Sequence, residues 1–111
     1  MLQYQNISIQ QAQQILESES CTVFDIRDIK SYKQGRLPGA MRFNENMVLQ
    51  MRNSGRRDSP ILIYCYHGNS SKDIAQLLCG IGFSNVYNLE GGYTAWEMVE
   101  NGTITDQQNN A

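Results

Sequence analysis

The most strand-like run in the chain is Ile61–Cys65, ILIYC, and it stops at a cysteine. A loop of small and polar residues follows, Tyr66-His67-Gly68-Asn69-Ser70. Apolar residues then recur at Ile74, Leu77, Leu78 and Ile81. That i, i+3, i+4, i+7 spacing marks an amphipathic helix starting near Ser70 or Ser71. A buried strand feeding directly into a helix constrains the fold strongly, and the same alternation runs along the whole chain. Tyr4–Ile7 reads as a short edge strand. Ser8 with Gln11 forms a capping box ahead of the stripe Ile9, Ala12, Ile15 and Leu16. Cys21–Ile26, CTVFDI, reads as a buried strand. Asp28 caps a short helix, IKSYKQ, that Gly35 ends. A brief strand is expected at Ala40–Phe43, then a helix capped by Asn44 and running to about Asn53 with Met47, Val48 and Met51 inward. A strand over Asn85–Leu89, a turn at Glu90-Gly91-Gly92 and a last helix from Tyr93 to about Glu100 complete the pattern. Alternating strands and helices predict an α/β fold with a central, mostly parallel five-stranded sheet and helices on both faces. Ligands in such sheets bind beyond the carboxyl ends of the strands, where Cys65 sits.

The 111 residues suit one domain, expected over residues 1–102, with 103–111, TITDQQNNA, low in apolar content and expected to be a flexible C-terminal tail. A net charge of -2 gives no reason to expect nucleic acid as a partner. No apolar run approaches the ~20 residues of a membrane helix, and the N-terminus MLQYQNISIQ has no signal-peptide pattern, so the cytoplasm is expected. Cys21, Cys65 and Cys79 are odd in number and lack metal-like spacing. Free thiols are expected, with no metal and no cofactor. Asn-x-Ser/Thr triplets at Asn6, Asn69 and Asn101 are read as chance matches.

A thiol with an ordinary pKa of about 8.5 is only ~3% ionised at pH 7. A helix N-terminus lowers that pKa through its unpaired N–H groups and dipole. Residues Tyr66–Ser70 can curl so that successive N–H groups point at the Cys65 sulfur, a nest for an anion. Gly68 allows tight dihedrals, the Ser70 and Ser71 hydroxyls add donors, and Lys72 adds a charge that Asp73 partly offsets. Cys21 at a strand start and Cys79 in mid-helix are read as core cysteines.

The stretch CYHGNSS, Cys65–Ser71, resembles the active-site loop of rhodanese-domain sulfurtransferases. VFDIRD (Val23–Asp28) resembles the family's Asp-x-Arg strand, YKQGRLPGA (Tyr32–Ala40) its Gly-His-Ile-Pro-Gly-Ala motif, and LEGGYTAW (Leu89–Trp96) its Gly-Gly-aromatic-x-x-Trp motif. Four motifs in family order span roughly Tyr4–Trp96. The resemblance implies a rhodanese fold and a single-domain thiosulfate sulfurtransferase. Cys65 would be the catalytic nucleophile, carrying sulfane sulfur as a persulfide. Tyr66, His67, Gly68, Asn69, Ser70 and Ser71 would form the substrate-binding loop. The donor would be thiosulfate, and the acceptor cyanide in assay or a dithiol such as thioredoxin. The family's usual histidine is Arg36 here, which either brings charge to the pocket mouth or is a solvated arginine after a helix.

Two other readings stand beside this one. A cysteine phosphatase uses the same strand-loop-helix nest with Cys-x5-Arg, but the sixth residue after Cys65 is Ser71, which has no guanidinium fork for a phosphate dianion. A rhodanese-like arsenate reductase would need an arginine there too. A rhodanese module used only for binding often lacks the cysteine. His67, two residues from Cys65 on a tight loop, is expected at the rim with a binding role at most. Asp25 and Arg27 are read as a salt-bridge framework supporting the nest, and Tyr93 and Trp96 as core.

Overall fold

The computed structural model describes residues 2–18 and 20–100. Its helices begin where side chains can cap them. Ser8 N–H donates to Gln11 Oε1 at 2.9 Å and Gln11 N–H to Ser8 Oγ at 3.1 Å, a reciprocal capping box that opens α1 (Ile9–Ser18). The Asp28 carboxylate accepts from Ser31 N–H and starts α2 (Ile29–Gln34). Asn44 accepts from Met47 N–H and starts α3 (Glu45–Ser54). Then come α4 (Ser71–Ile81) and α5, helical over residues 92–100. None of the helices is long and apolar enough to cross a membrane among the described residues.

Five strands, β1 (Gln5–Ile7), β2 (Thr22–Asp25), β3 (Met41–Arg42), β4 (Ile61–Tyr64) and β5 (Val86–Leu89), form one sheet in the order β1-β5-β4-β2-β3. Every pairing is parallel, with Asp25 beside Tyr64, Ile63 beside Asn88 and Asn6 beside Asn88. The expected architecture is thus present, and the strands are shorter than the apolar runs suggest. Tyr4, Cys21, Ile26, Ala40, Phe43, Cys65 and Asn85 lie outside them. At Cys65 the reason is visible: its carbonyl accepts from Tyr93 N–H at 2.8 Å rather than from a neighbouring strand. The expected tail, 103–111, and the domain end at residue 102 lie outside the described residues.

The pleat divides the core in two. Val23, Leu62, Tyr64 and Leu89 pack with Ala12 and Trp96 on one face, joined by half-buried Tyr32 and Tyr93, under α1, α2 and α5. Phe24, Ile61, Ile63 and Val86 pack with Ala75, Leu78 and Cys79 on the other face, joined by Met47 and Met51, under α3 and α4. Alternation from Ile61 and Ile63 sends the Cys65 side chain toward the α4 face, at the carboxyl end of the central strand.

A buried ionic network ties this end together. Arg27 donates from Nε to both Asp25 carboxylate oxygens at 3.1 Å, and from Nη2 to Oδ2 at 2.6 Å and to the Gly35 carbonyl. The Tyr64 hydroxyl donates to Asp25 Oδ2 at 2.6 Å and accepts from Leu37 N–H at 3.2 Å. The guanidinium lies 4.0 Å from the Tyr93 ring centroid, so β2, β4, the end of α2 and α5 meet on one ion pair. Burial opposes the Arg27 charge, but the Asp25 carboxylate outweighs it and keeps the guanidinium pKa above its ordinary value. Burial raises the Tyr64 phenol further still, with Asp25 adding to the shift, so it stays a donor at any working pH. Asp25→Ala should cost about 3–5 kcal/mol, because Arg27 is left buried without a counter-charge. Tyr64→Phe should cost about 1–3 kcal/mol. Urea denaturation checks both, and a loss under about 1 kcal/mol for Asp25→Ala contradicts this role of the network.

Candidate active site

The loop after β4 wraps around the Cys65 sulfur. Gly68 N–H donates to Cys65 Sγ at 3.1 Å and Ser71 N–H at 3.4 Å, while Ser71 Oγ lies 3.2 Å from the sulfur. The first N–H groups of a helix have no partners within it and are usually met by a side-chain cap. Ser70, at the cap position of α4, supplies no such bond. The sulfur takes that place at Ser71, so the thiol is built into the helix terminus. Cys65 is 4% exposed and Ser71 fully buried. Burial pushes the Cys65 thiol pKa up. The Ser71 hydroxyl and the N–H groups of Ser71, Gly68 and His67 outweigh burial and leave it below the ordinary thiol value. Cys79 has no such donors, and burial raises its thiol. None of the three cysteines forms a disulfide.

Two glycines make this wrapping feasible. Gly68 has φ +90°, and a Cβ there would meet Gly91 N and Leu89 O at 3.0 Å. Gly92 has φ +61°, and its Cβ would fall 2.5 Å from Cys65 O and 2.6 Å from Tyr66 C and O. With no side chain in the way, α5 begins against the loop. Tyr93 N–H donates to Cys65 O, and Thr94 N–H to Tyr66 O at 3.0 Å. The Gly-Gly turn is therefore the loop's backstop, a role that sequence reasoning did not assign to it.

A recess of about 170 Å³ opens over the sulfur, lined by Cys65, Tyr66, His67, Asn69 and Ser70. His67 is exposed, with its ring 6.5 Å from that of Tyr66. Ser70 and Asn69 are exposed at the mouth, and the Ser71 hydroxyl, not that of Ser70, reaches the sulfur. Lys72 is exposed and outside the residues lining the recess. Arg36 is exposed too. It donates to Tyr32 O at 3.2 Å and stacks 4.6 Å from the Tyr32 ring, so it packs on α2 and not over the sulfur. The recess thus offers neutral N–H and hydroxyl donors and no arginine or lysine side chain.

Asp25 and Arg27 stand behind the loop rather than in the recess. The guanidinium lies 5.7 Å from the Tyr66 ring, and the Tyr66 hydroxyl donates to the Asp28 carboxylate and meets Ser31 Oγ at the start of α2. The Tyr66 hydroxyl, joined by Ser31, holds the Asp28 carboxyl well below the usual carboxylate range. Among the described residues no three His, Cys, Asp or Glu side chains are grouped to hold a metal.

One buried site residue went unread in the sequence. Asn88, on β5, accepts from the Ser71 hydroxyl through Oδ1. Its Nδ2 donates to Gly68 O at 3.1 Å and to Asn6 Oδ1 at 2.9 Å. The signal was present: Asn88 is polar at an inward position, two residues from buried Val86 on the same face.

A sequence model of the rhodanese-like domain family matches residues 8–98. A thiosulfate sulfurtransferase GlpE from Shewanella oneidensis is 38% identical over 96 residues, covering 86% of this chain and 95% of the relative. A GlpE of the same description from Pseudomonas entomophila is 41% identical, covering 86% and 87%. Among solved structures, the rhodanese-like domain of the Anabaena sp. Alr3790 protein superposes with a TM-score of 0.72 at 27% identity, covering 85% of this chain and 74% of that one. With the strand-cysteine-loop-helix junction in the geometry described, this chain belongs to the rhodanese-like domain family.

Proposed function

We propose that this protein is a thiosulfate sulfurtransferase that carries sulfane sulfur on Cys65. The observation that carries the reading is the pair of N–H groups and the hydroxyl converging on a buried sulfur, with no arginine or lysine side chain lining the recess. The Cys65 thiolate attacks the outer sulfur of thiosulfate, the sulfur–sulfur bond of the donor breaks, and sulfite leaves with the bonding pair. A Cys65 persulfide anion remains. Its charge is about one unit and sits on the outer sulfur, which the recess residues Tyr66, His67, Asn69 and Ser70 surround. Cyanide then takes that sulfur as thiocyanate and regenerates the thiolate. A protein dithiol of the thioredoxin kind is the cellular acceptor in this proposal, with the cytoplasm as its place of work. Two displacements through one covalent intermediate give ping-pong kinetics.

The nest supports this chemistry better than phosphate-ester hydrolysis. Tyrosine-phosphatase-like catalysis needs a guanidinium fork on the phosphate. Here the sixth residue after the cysteine is Ser71, whose hydroxyl is already engaged with Cys65 and Asn88.

Cys65→Ser should lower cyanide-dependent thiocyanate formation by on the order of 10³ or more with the fold retained, since the nucleophile is lost and an oxygen can still accept the loop N–H bonds. Cys21→Ser and Cys79→Ser should stay active. Substantial turnover by the Cys65 variant overturns the assignment. Thiosulfate is a dianion and no arginine or lysine side chain lines the recess to meet it, so its affinity should be millimolar or weaker, no more than about 4 kcal/mol. Steady-state kinetics that gave micromolar thiosulfate affinity, or efficient turnover of aryl phosphates, would contradict a recess that lacks arginine and lysine.

A further inference from the structure

Asn88 is fully buried and makes three polar contacts, all on the Cys65 side of the sheet. Its amide orientation follows from its partners. The Gly68 carbonyl can only accept, so Nδ2 must face it and Oδ1 must face Ser71. The Ser71 hydroxyl has one proton and two neighbours, Asn88 Oδ1 and Cys65 Sγ. While that proton points at Asn88, Ser71 Oγ can only accept, and the bond to the sulfur must come from the Cys65 S–H. The resting chain is therefore Cys65 S–H to Ser71 Oγ, and Ser71 O–H to Asn88 Oδ1. When Cys65 ionises, its sulfur can only accept. The Ser71 proton then turns toward the sulfur, since staying would present oxygen lone pairs to an anion, and the turn leaves the buried Asn88 amide oxygen without that partner.

We propose that Asn88 is a positioning residue that competes with the Cys65 sulfur for the Ser71 hydroxyl proton, and so limits how acidic the nucleophile becomes. This deepens the sulfurtransferase reading and rests on it for its purpose. A thiolate loses intrinsic nucleophilicity as its pKa falls, so a nest that lowered the pKa without restraint would weaken the attack on the donor. Asn88 reaches the site because β5 pairs with β4 in parallel register, which sets Asn88 beside Ile63, two residues before Cys65. Asn6, paired with Asn88 on the outer strand, holds the second Nδ2 proton and keeps the amide from rotating. Other titratable groups near the loop are Tyr66, His67, Lys72 and Asp73, and on β5 Tyr87, which packs on the opposite core face. No side chain among these is hydrogen-bonded to the sulfur in the structure.

The test is the pH dependence of Cys65 alkylation, which needs no sulfur transfer and so stands apart from the functional reading. The wild-type midpoint should lie below the ~8.5 of an ordinary thiol, and Ser71→Ala should raise it. Asn88→Ala should lower it by about half a unit to one unit, raising the thiolate fraction at neutral pH about three- to tenfold. In the Ser71→Ala background, Asn88→Ala should shift nothing, since no proton remains to compete for. A purely structural Asn88 gives the opposite pattern: its loss loosens the loop N–H groups and raises the midpoint in both backgrounds, which would overturn the proposal. The unmutated protein supplies a second readout. The side-chain carbonyl carbon of Asn88, followed by ¹³C NMR, should titrate with the Cys65 midpoint, and should lose that titration in Ser71→Ala. A carbon indifferent to Cys65 ionisation also overturns it.

Discussion

The bond from Ser71 N–H to the Cys65 sulfur is where strand, loop and helix depend on one another. A helix must satisfy its first N–H groups, and α4 has no side-chain cap at Ser70 to do so. By ending β4 with a cysteine whose pleat direction points at α4, the chain makes one atom serve as helix cap and as reactive centre. Burial would raise the thiol pKa, and it is the donors brought by that capping arrangement that reverse the sign. In the proposed cycle the same donors face a sulfur anion, so structural and chemical demands coincide.

The loop keeps its shape because it is braced from behind on two sides. At the back, Gly92 lets the start of α5 approach within hydrogen-bond distance of the Cys65 and Tyr66 carbonyls, where any Cβ would collide. At the flank, the Asp25–Arg27 pair organises the Tyr64 hydroxyl, the Gly35 carbonyl and the Tyr93 ring, and Tyr66 is latched to the beginning of α2 through Asp28 and Ser31. The buried ion pair thus lies in the frame, while no arginine or lysine side chain lines the recess. That division suits a small, singly charged sulfur better than a phosphate dianion.

Much of this was legible in the residues themselves, and what was legible is local. The run ILIYC followed by Gly68 and the stripe Ile74, Leu77, Leu78, Ile81 gives the junction its order, and Asp28, Asn44 and the Ser8–Gln11 box mark helix starts that the hydrogen bonds display. Asp25 and Arg27 could be paired from their i, i+2 spacing at a strand end. The unread features join segments far apart in sequence. Ser71 and Asn88 are brought together by the β4–β5 register, and the fit of Gly92 against Cys65 depends on where α5 is launched. The end of β4 was overread for a related reason: apolar character continues into Cys65, but ladder pairing stops there because its carbonyl accepts from Tyr93 N–H outside the sheet.

The central claim is that sulfur resides covalently on Cys65 during turnover. Intact-mass spectrometry of the protein after thiosulfate treatment without acceptor, followed by peptide mapping, tests it most directly. The predicted result is a gain of one sulfur atom on the peptide containing Cys65, removed by cyanide. No gain, or a gain confined to Cys21 or Cys79, would contradict it.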